Sequence, residues 1–393
     1  MNRATHNHSH GLPDKCSRYH FPSSLISTES LDRPAVDFLI RLAEHIRELS
    51  SDPSSLVAMR KLLAHESALL YFAQPSTRTY CSFVRACQLL GMQTSDVRDI
   101  TTSSRQKGES ELDTLHTFAA YHNLIIMRHH DPSLVSVAAS HFNDFGLGTH
   151  MVNAGSGPHD HPTQALLDVY TIARVFGTQK LFRGLISVAI VGDIVRGRTS
   201  RSLITLLSRT TNARLHLIAP PELQASNTMC AELVARRTEY TLHQSLDEII
   251  SQVDVIYMTR IQDEYDRGCE SKAIDRRGCI LTDNRVRAMR PHSIILHPLP
   301  RRDEIDPSID SDPRARYWQQ ERNGLWMRTA LIAAIFEVTP SITRLRDALQ
   351  SHLHNDSRPS EERRPDIHRC IISEPISRNN KVGTSGVSSW FDT

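Results

Sequence analysis

Short runs of Ile, Val and Leu recur along the chain between longer segments whose apolar residues fall at helical spacing, the pattern of βαβ units and a parallel sheet. Seven runs predict strands: ALLYF at 68–72, NLIIMRH at 123–129, GTHMVNAG at 148–155, ISVAIVGD at 186–193, RLHLIAP at 214–220, DVIYMTR at 254–260 and SIILHPLP at 293–300. A helical stretch, HPTQALLDVYTIARV at 161–175, lies where the first three runs give way to the rest and suits a helix joining two domains. The fold class expected is α/β, with two doubly wound domains, each a mainly parallel sheet flanked by helices. The first should span 33–162, completed by an amphipathic helix at about 325–348 packing back on it, and the second 163–324. Residues 1–32, rich in His, Ser and Pro, and the polar stretch 349–393 read as flexible tails.

With 393 residues, 39% hydrophobic and 23% charged, the chain can fill two packed cores. Its formal charge of +2 comes from nearly equal acids and bases, so neither nucleic acid nor an anionic membrane is an expected partner, and any basic site is local. No run approaches the roughly 18 apolar residues of a membrane span. The start MNRATHNHSHGLPDKC lacks the apolar core of a secretory signal, and a cytoplasmic location is expected. Seven scattered cysteines without a CxxC read as free thiols. His6, His8 and His10 alternate in a polar tail and read as an adventitious tract, so no metal site is expected.

Polar residues gather at the C-terminal ends of nearly all the predicted strands, the edge at which open α/β sheets bind ligands. Pro75-Ser76-Thr77-Arg78-Thr79 follows a strand and opens a helix, so its hydroxyls and backbone N–H groups form a phosphate cradle to which Arg78 adds a planar fork of donors. A Ser/Thr helix cap with a surface arginine satisfies the same pentapeptide. Its neighbours change the weighing: Arg128 ends the next strand, and His161 and Gln164 open the interdomain helix. Two arginines and a histidine around a Ser/Thr cradle suit a phosphate attached to a carbonyl. The second set of strand ends carries Gly197-Arg198-Thr199, Thr259-Arg260-Ile261-Gln262 and His297-Pro298-Leu299-Pro300, and its two arginines point to a second anionic ligand.

These segments resemble the catalytic chains of aspartate carbamoyltransferases, within the aspartate/ornithine carbamoyltransferase superfamily, in order from about residue 33 to 340. The motifs are PSTRT (75–79), KGESELDT (107–114), MRH (127–129), NAGSGPHDHPTQALLD (153–168), VGDIVRGRTSRSL (191–203), YMTRIQ (257–262) and HPLPRRDEI (297–305). HPLP separates the chain from ornithine carbamoyltransferases, which typically carry HCLP there and an SMG-type motif that this chain lacks. The resemblance implies transfer of the carbamoyl group of carbamoyl phosphate to L-aspartate, the second step of pyrimidine biosynthesis, without cofactor. Ser76, Thr77, Arg78 and Thr79 would hold the phosphate, helped by Arg128 and Gln164. Thr77, Arg128 and His161 would polarise the carbamoyl oxygen, with Arg78 on the leaving phosphate. Arg198, Arg260 and Gln262 would hold aspartate, beside backbone at Pro298 and Leu299. It further implies a homotrimer in which a loop at 101–109, through Ser103 and Lys107, completes the neighbouring subunit's site, Lys107 reaching both ligands. Whether regulatory or dihydroorotase-like partner subunits bind is left open.

The chain departs from the pattern at Gln74, where the family usually has Glu, at Tyr265 and Tyr80, where it has Arg, and at Val84, where it has Glu. These changes touch the surroundings of the site and leave two other readings standing: a carbamoyltransferase for another amine, or a catalytically silent subunit.

Overall fold

The computed structural model describes residues 19–98, 108–263, 266 and 273–356. Among them nine strands form two wholly parallel sheets. The first has the order β2-β1-β3-β4, from Ser67–Phe72 (β1), Gln93–Val97 (β2), Leu124–His129 (β3) and His150–Ser156 (β4). The second has the order β7-β6-β5-β8-β9, from Ile186–Val191 (β5), Ala213–Ile218 (β6), Tyr240–His243 (β7), Val255–Met258 (β8) and Ile294–Leu296 (β9). The predicted α/β architecture and all seven apolar strands are present.

β2 and β7 were not foreseen. Both are edge strands whose residues are largely half-buried or exposed, so neither carries an apolar run. In each sheet the order reverses once, between β1 and β3 and between β5 and β8. The crevice that opens where connections leave a sheet in opposite directions is a ready ligand site, and this chain has two.

Six helices matter for the site: Arg33–Leu49 (α1), Thr77–Leu90 (α2), Pro162–Phe176 (α3), Arg198–Thr210 (α4), Tyr317–Ile335 (α5) and Thr339–Asp356 (α6). The first begins with Asp32 accepting from the Ala35 N–H at 2.8 Å and with Pro34 in its first turn, where no N–H is missed. Most of α3 and α5 is buried, as befits helices packed on several sides. α5 lies against α1, α2 and α3, and α3 also against α4. None of the described helices is long and apolar enough to cross a membrane.

Two expected boundaries are corrected. The chain is packed from residue 19 rather than 33: Leu25 is buried, donates to Met151 O at 2.9 Å and accepts from Asn153 N at 2.8 Å, extending the edge at β4. The single helix foreseen at about 325–348 is instead α5, beginning at Tyr317, and α6, ending at Asp356. Glu337 turns between them at φ 55°, and Pro340 suits the first turn of a new helix. The tail assigned from 349 therefore starts inside a helix. The described residues up to Arg346 make one compact unit.

Candidate active site

The first wall comes from the β1/β3 crevice. Ser76 caps α2 by position only, its side chain making no capping bond, so the N–H groups of the first turn face the cleft beside the Ser76, Thr77 and Thr79 hydroxyls and Arg78. Arg128, buried, is the last residue but one of β3, and its Nη1 donates to Ala154 O at 3.1 Å. Residue 155 must be glycine for this: its φ is 120°, and a Cβ would stand 2.5 Å from Arg128 Nη1.

His161 opens α3 ahead of Pro162. Its N–H donates to Ser202 Oγ of α4 at 2.9 Å. Asp160 beside it accepts from Ser202 Oγ at 2.6 Å, from Ser27 Oγ at 3.0 Å and from the Thr28 N–H at 2.7 Å, binding the N-terminal segment to α4 at one carboxylate. Burial, and then the charges of Arg128, Arg198 and Arg328, hold the His161 imidazole well below its usual pKa. It is a neutral group at neutral pH, able to donate one hydrogen bond without bringing charge.

The second wall comes from the β5/β8 crevice. Arg198 begins α4 and reaches back to the first wall, donating from Nη1 to Gln74 Oε1 at 2.8 Å and to Gly157 O at 2.7 Å. Arg260 follows β8, donates to Ile261 O at 3.1 Å and stands 3.7 Å from Asp263. Asp193, buried after β5, accepts the Gln262 N–H at 3.0 Å and so fixes the chain there. After β9, His297 Nδ1 accepts the Leu299 N–H at 2.7 Å, so Nε2 carries the proton and donates to Glu304 at 2.7 Å. This histidine shapes the backbone at Pro298 and Leu299. Burial lowers its pKa although Glu304 pulls the other way.

Ser76, Thr77, Arg78, Thr79, Arg128, His161, Gln164, Arg198, Arg260, Gln262, Pro298 and Leu299 all line one cavity of about 460 Å³. Ser103, Lys107 and Tyr265 lie outside the described residues. Tyr80 does not line the cleft. It packs edge-on against Phe72, 5.6 Å between centroids, under the Arg98 guanidinium, which removes it as a shaper of the pocket. Val84 is likewise absent from the lining.

Two lining residues were missed, Glu321 and Arg328 of α5. Arg328 is buried and donates to Ser82 Oγ at 2.8 Å. Burial draws its pKa down to about 10, which leaves it charged at neutral pH. Burial raises the Glu321 carboxyl against the opposing charges of Arg328 and Arg78. The available signal was an arginine inside the apolar run GLWMRTALIAAI, where a charge needs a reason. Behind Gln164, burial pushes the Asp168 carboxyl up to about 7 against hydrogen bonds from Gln320, Tyr257 and Gln164. The cleft thus offers two anion-binding stations and a neutral donor in a site walled from bulk water on two sides.

The carbamoyl-P binding domain of aspartate/ornithine carbamoyltransferases matches residues 23–174, and their Asp/Orn binding domain residues 185–335. The chloroplastic aspartate carbamoyltransferase of Oryza sativa is 37% identical over 317 residues, covering 78% of this chain and 83% of its own. The aspartate carbamoyltransferase catalytic subunit of Vibrio campbellii is 35% identical, with 81% and 98% covered. Among solved structures, the catalytic subunit of M. jannaschii aspartate transcarbamoylase superimposes with a TM-score of 0.71 at 32% identity, covering 80% and 98%. The Trypanosoma cruzi enzyme in complex with carbamoyl aspartate and phosphate gives 0.69 at 30%, covering 80% and 98%. With both domains matched in order over most of the chain, and relatives 35% and 37% identical over about four fifths of it, the chain belongs to the aspartate/ornithine carbamoyltransferase family.

Proposed function

We propose that the chain transfers the carbamoyl group of carbamoyl phosphate to the α-amino group of L-aspartate, releasing phosphate, as the second step of pyrimidine biosynthesis. The observation that carries this reading is one cleft with an uncapped helix N-terminus, Arg78, Arg128 and a neutral His161 on one wall and Arg198 and Arg260 on the other. Ser76 to Thr79 and Arg128 take the phosphate, and Thr77, Arg128 and His161 donate to the carbamoyl oxygen. Arg198, Arg260 and Gln262 hold the two carboxylates of aspartate beside Pro298 and Leu299.

The deprotonated amine attacks the carbamoyl carbon. The developing oxyanion meets donors that are already in place, and phosphate leaves under the groups that hold it. A neutral imidazole serves this step better than an imidazolium, because it polarises the carbonyl without drawing the phosphate out of position.

The first domain, about 19–162 with the C-terminal helices α5 and α6, is the carbamoyl-phosphate domain in this reading, and about 163–316 the aspartate domain. The functional unit is a cytoplasmic homotrimer whose 101–109 loop brings Ser103 and Lys107 to a neighbour's cleft. Mixing Arg78→Ala chains with Lys107→Ala chains tests that sharing, since hybrid trimers should recover activity that neither variant has alone.

Carbamoyl transfer to L-aspartate by the purified chain, lost in Arg78→Ala, tests the reaction. Transfer to other amines but not to aspartate would redirect the reading to another acceptor, and no transfer to any amine would make the chain a silent subunit.

A further inference from the structure

Behind the cleft lies a carboxylate that touches none of the proposed substrates yet joins three of the elements that do. Asp168 of α3 is fully buried and accepts three hydrogen bonds. Gln164 Nε2 at 2.9 Å and Gln320 Nε2 at 2.6 Å both donate to Oδ1, and the Tyr257 hydroxyl donates to Oδ2 at 2.8 Å.

The orientation of this network is forced. The backbone N–H of His297 can only donate, and it meets Gln320 Oε1 at 2.9 Å, so Gln320 must turn its nitrogen to Asp168. With Oδ1 already accepting from Gln320, a proton on the acid sits on Oδ2 beside the Tyr257 hydroxyl, so Oδ1 accepts in either protonation state and Gln164 must also turn its nitrogen to it. The Gln164 carbonyl oxygen is then left at the other end of the amide, on a residue that lines the cleft. It takes no hydrogen bond among the described residues and, unlike Thr163 Oγ1 next to it, is not sealed from solvent. An acceptor stands beside the donors of Arg78, Arg128 and His161.

We propose that Asp168 is the positioning residue that sets this polarity: by fixing the Gln164 amide it presents a carbonyl oxygen to the acyl substituent of the bound acyl phosphate, and so selects one that bears N–H. The inference rests on the proposed reaction and deepens it. The carbamoyl amino group donates to that oxygen, whereas acetyl phosphate, with a methyl group in its place, leaves the oxygen unpaired. Through Gln320 the same carboxylate holds the His297 backbone on the opposite wall, and through Tyr257 it holds β8, whose end carries Arg260. The two walls are therefore registered on one side chain.

The test is the ratio of kcat/KM for carbamoyl phosphate to that for acetyl phosphate, with aspartate saturating, in wild type, Asp168→Asn, Asp168→Leu and Tyr257→Phe. The ratio cancels losses that fall equally on both substrates. Asp168→Asn should keep it, because the Asn oxygen still accepts from both glutamines while its nitrogen donates to a Tyr257 hydroxyl that reverses. Asp168→Leu, with the same branching but no acceptor, should collapse it by about 10- to 100-fold, the usual cost of one misdirected buried acceptor. Tyr257→Phe, the milder change, should lower it a few-fold and decides the matter if the leucine variant does not fold. Equal losses on both substrates, with the ratio unchanged, would mean that Asp168 only supports the fold and would overturn the proposal. No turnover by the wild type with either acyl phosphate would instead remove the proposed reaction and this inference with it.

Discussion

The two walls of the cleft are built by different means. Around the β1/β3 crevice, Arg128, His161 and Gln164 are buried, with Arg128 held by Ala154 O, the His161 backbone by Ser202 Oγ and Gln164 by Asp168, so this corner is built before any ligand arrives. Around the β5/β8 crevice, Arg198, Arg260 and Gln262 are half-buried, and the partners of the two arginines include backbone carbonyls, Gln74 and the more distant Asp263, which a carboxylate ligand can replace. The difference matches the chemistry in the proposed reaction: the corner that must meet a transition state is pre-organised, and the wall that must admit and release an amino acid is adjustable.

If that division holds, damage to the first wall appears in kcat and damage to the second in KM. Arg128→Ala should have the largest effect, a fall of about 100- to 1000-fold in kcat, measured with both substrates saturating. Gly155→Ala should follow at roughly tenfold to 100-fold in kcat, because the new methyl group displaces the Arg128 guanidinium; an unchanged kcat would show that the corner tolerates movement. Arg260→Ala should raise the KM for aspartate by about 10- to 100-fold with a smaller change in kcat. A loss confined to kcat there would erase the distinction between the walls. Gln74→Ala, which frees Arg198 from one neutral partner, should raise that KM only a few-fold.

The smallest effect is one of stability. Between about pH 4 and 7 native Asp168 retains a proton that the unfolded chain has released, so this group's contribution to stability falls as pH rises through the window. Asp168→Asn removes that slope. The melting temperature of the variant relative to wild type should climb from pH 4 to 7 and then level off.

Legibility in the sequence followed burial on the sheets and failed at their margins. Runs such as ISVAIVGD are apolar because a parallel strand is covered on both faces, and the polar residues at their ends come together in one cleft because the chain must leave each sheet there. QTSDV and YTLH are strands by backbone pairing alone, with no apolar signal to report it. Leu25 was lost in a stretch that looked like tail, since two or three apolar residues paired to a sheet edge leave no periodicity. Arg328 and Glu321 were hidden differently: they sit on a helix expected to serve packing only, and what makes them part of the cleft is the approach of α5 to α2, a tertiary fact.

The carboxylate of Asp160 changes how sequence variants of this protein should be interpreted. Ser27 and Thr28 stand over 130 positions before His161, in a stretch that compositional reading would classify as tolerant, yet they share with Ser202 the group adjoining that histidine. A substitution at either is, in its consequences, a change at the proposed reaction centre, and distance along the chain is a poor guide to which differences between homologues are neutral.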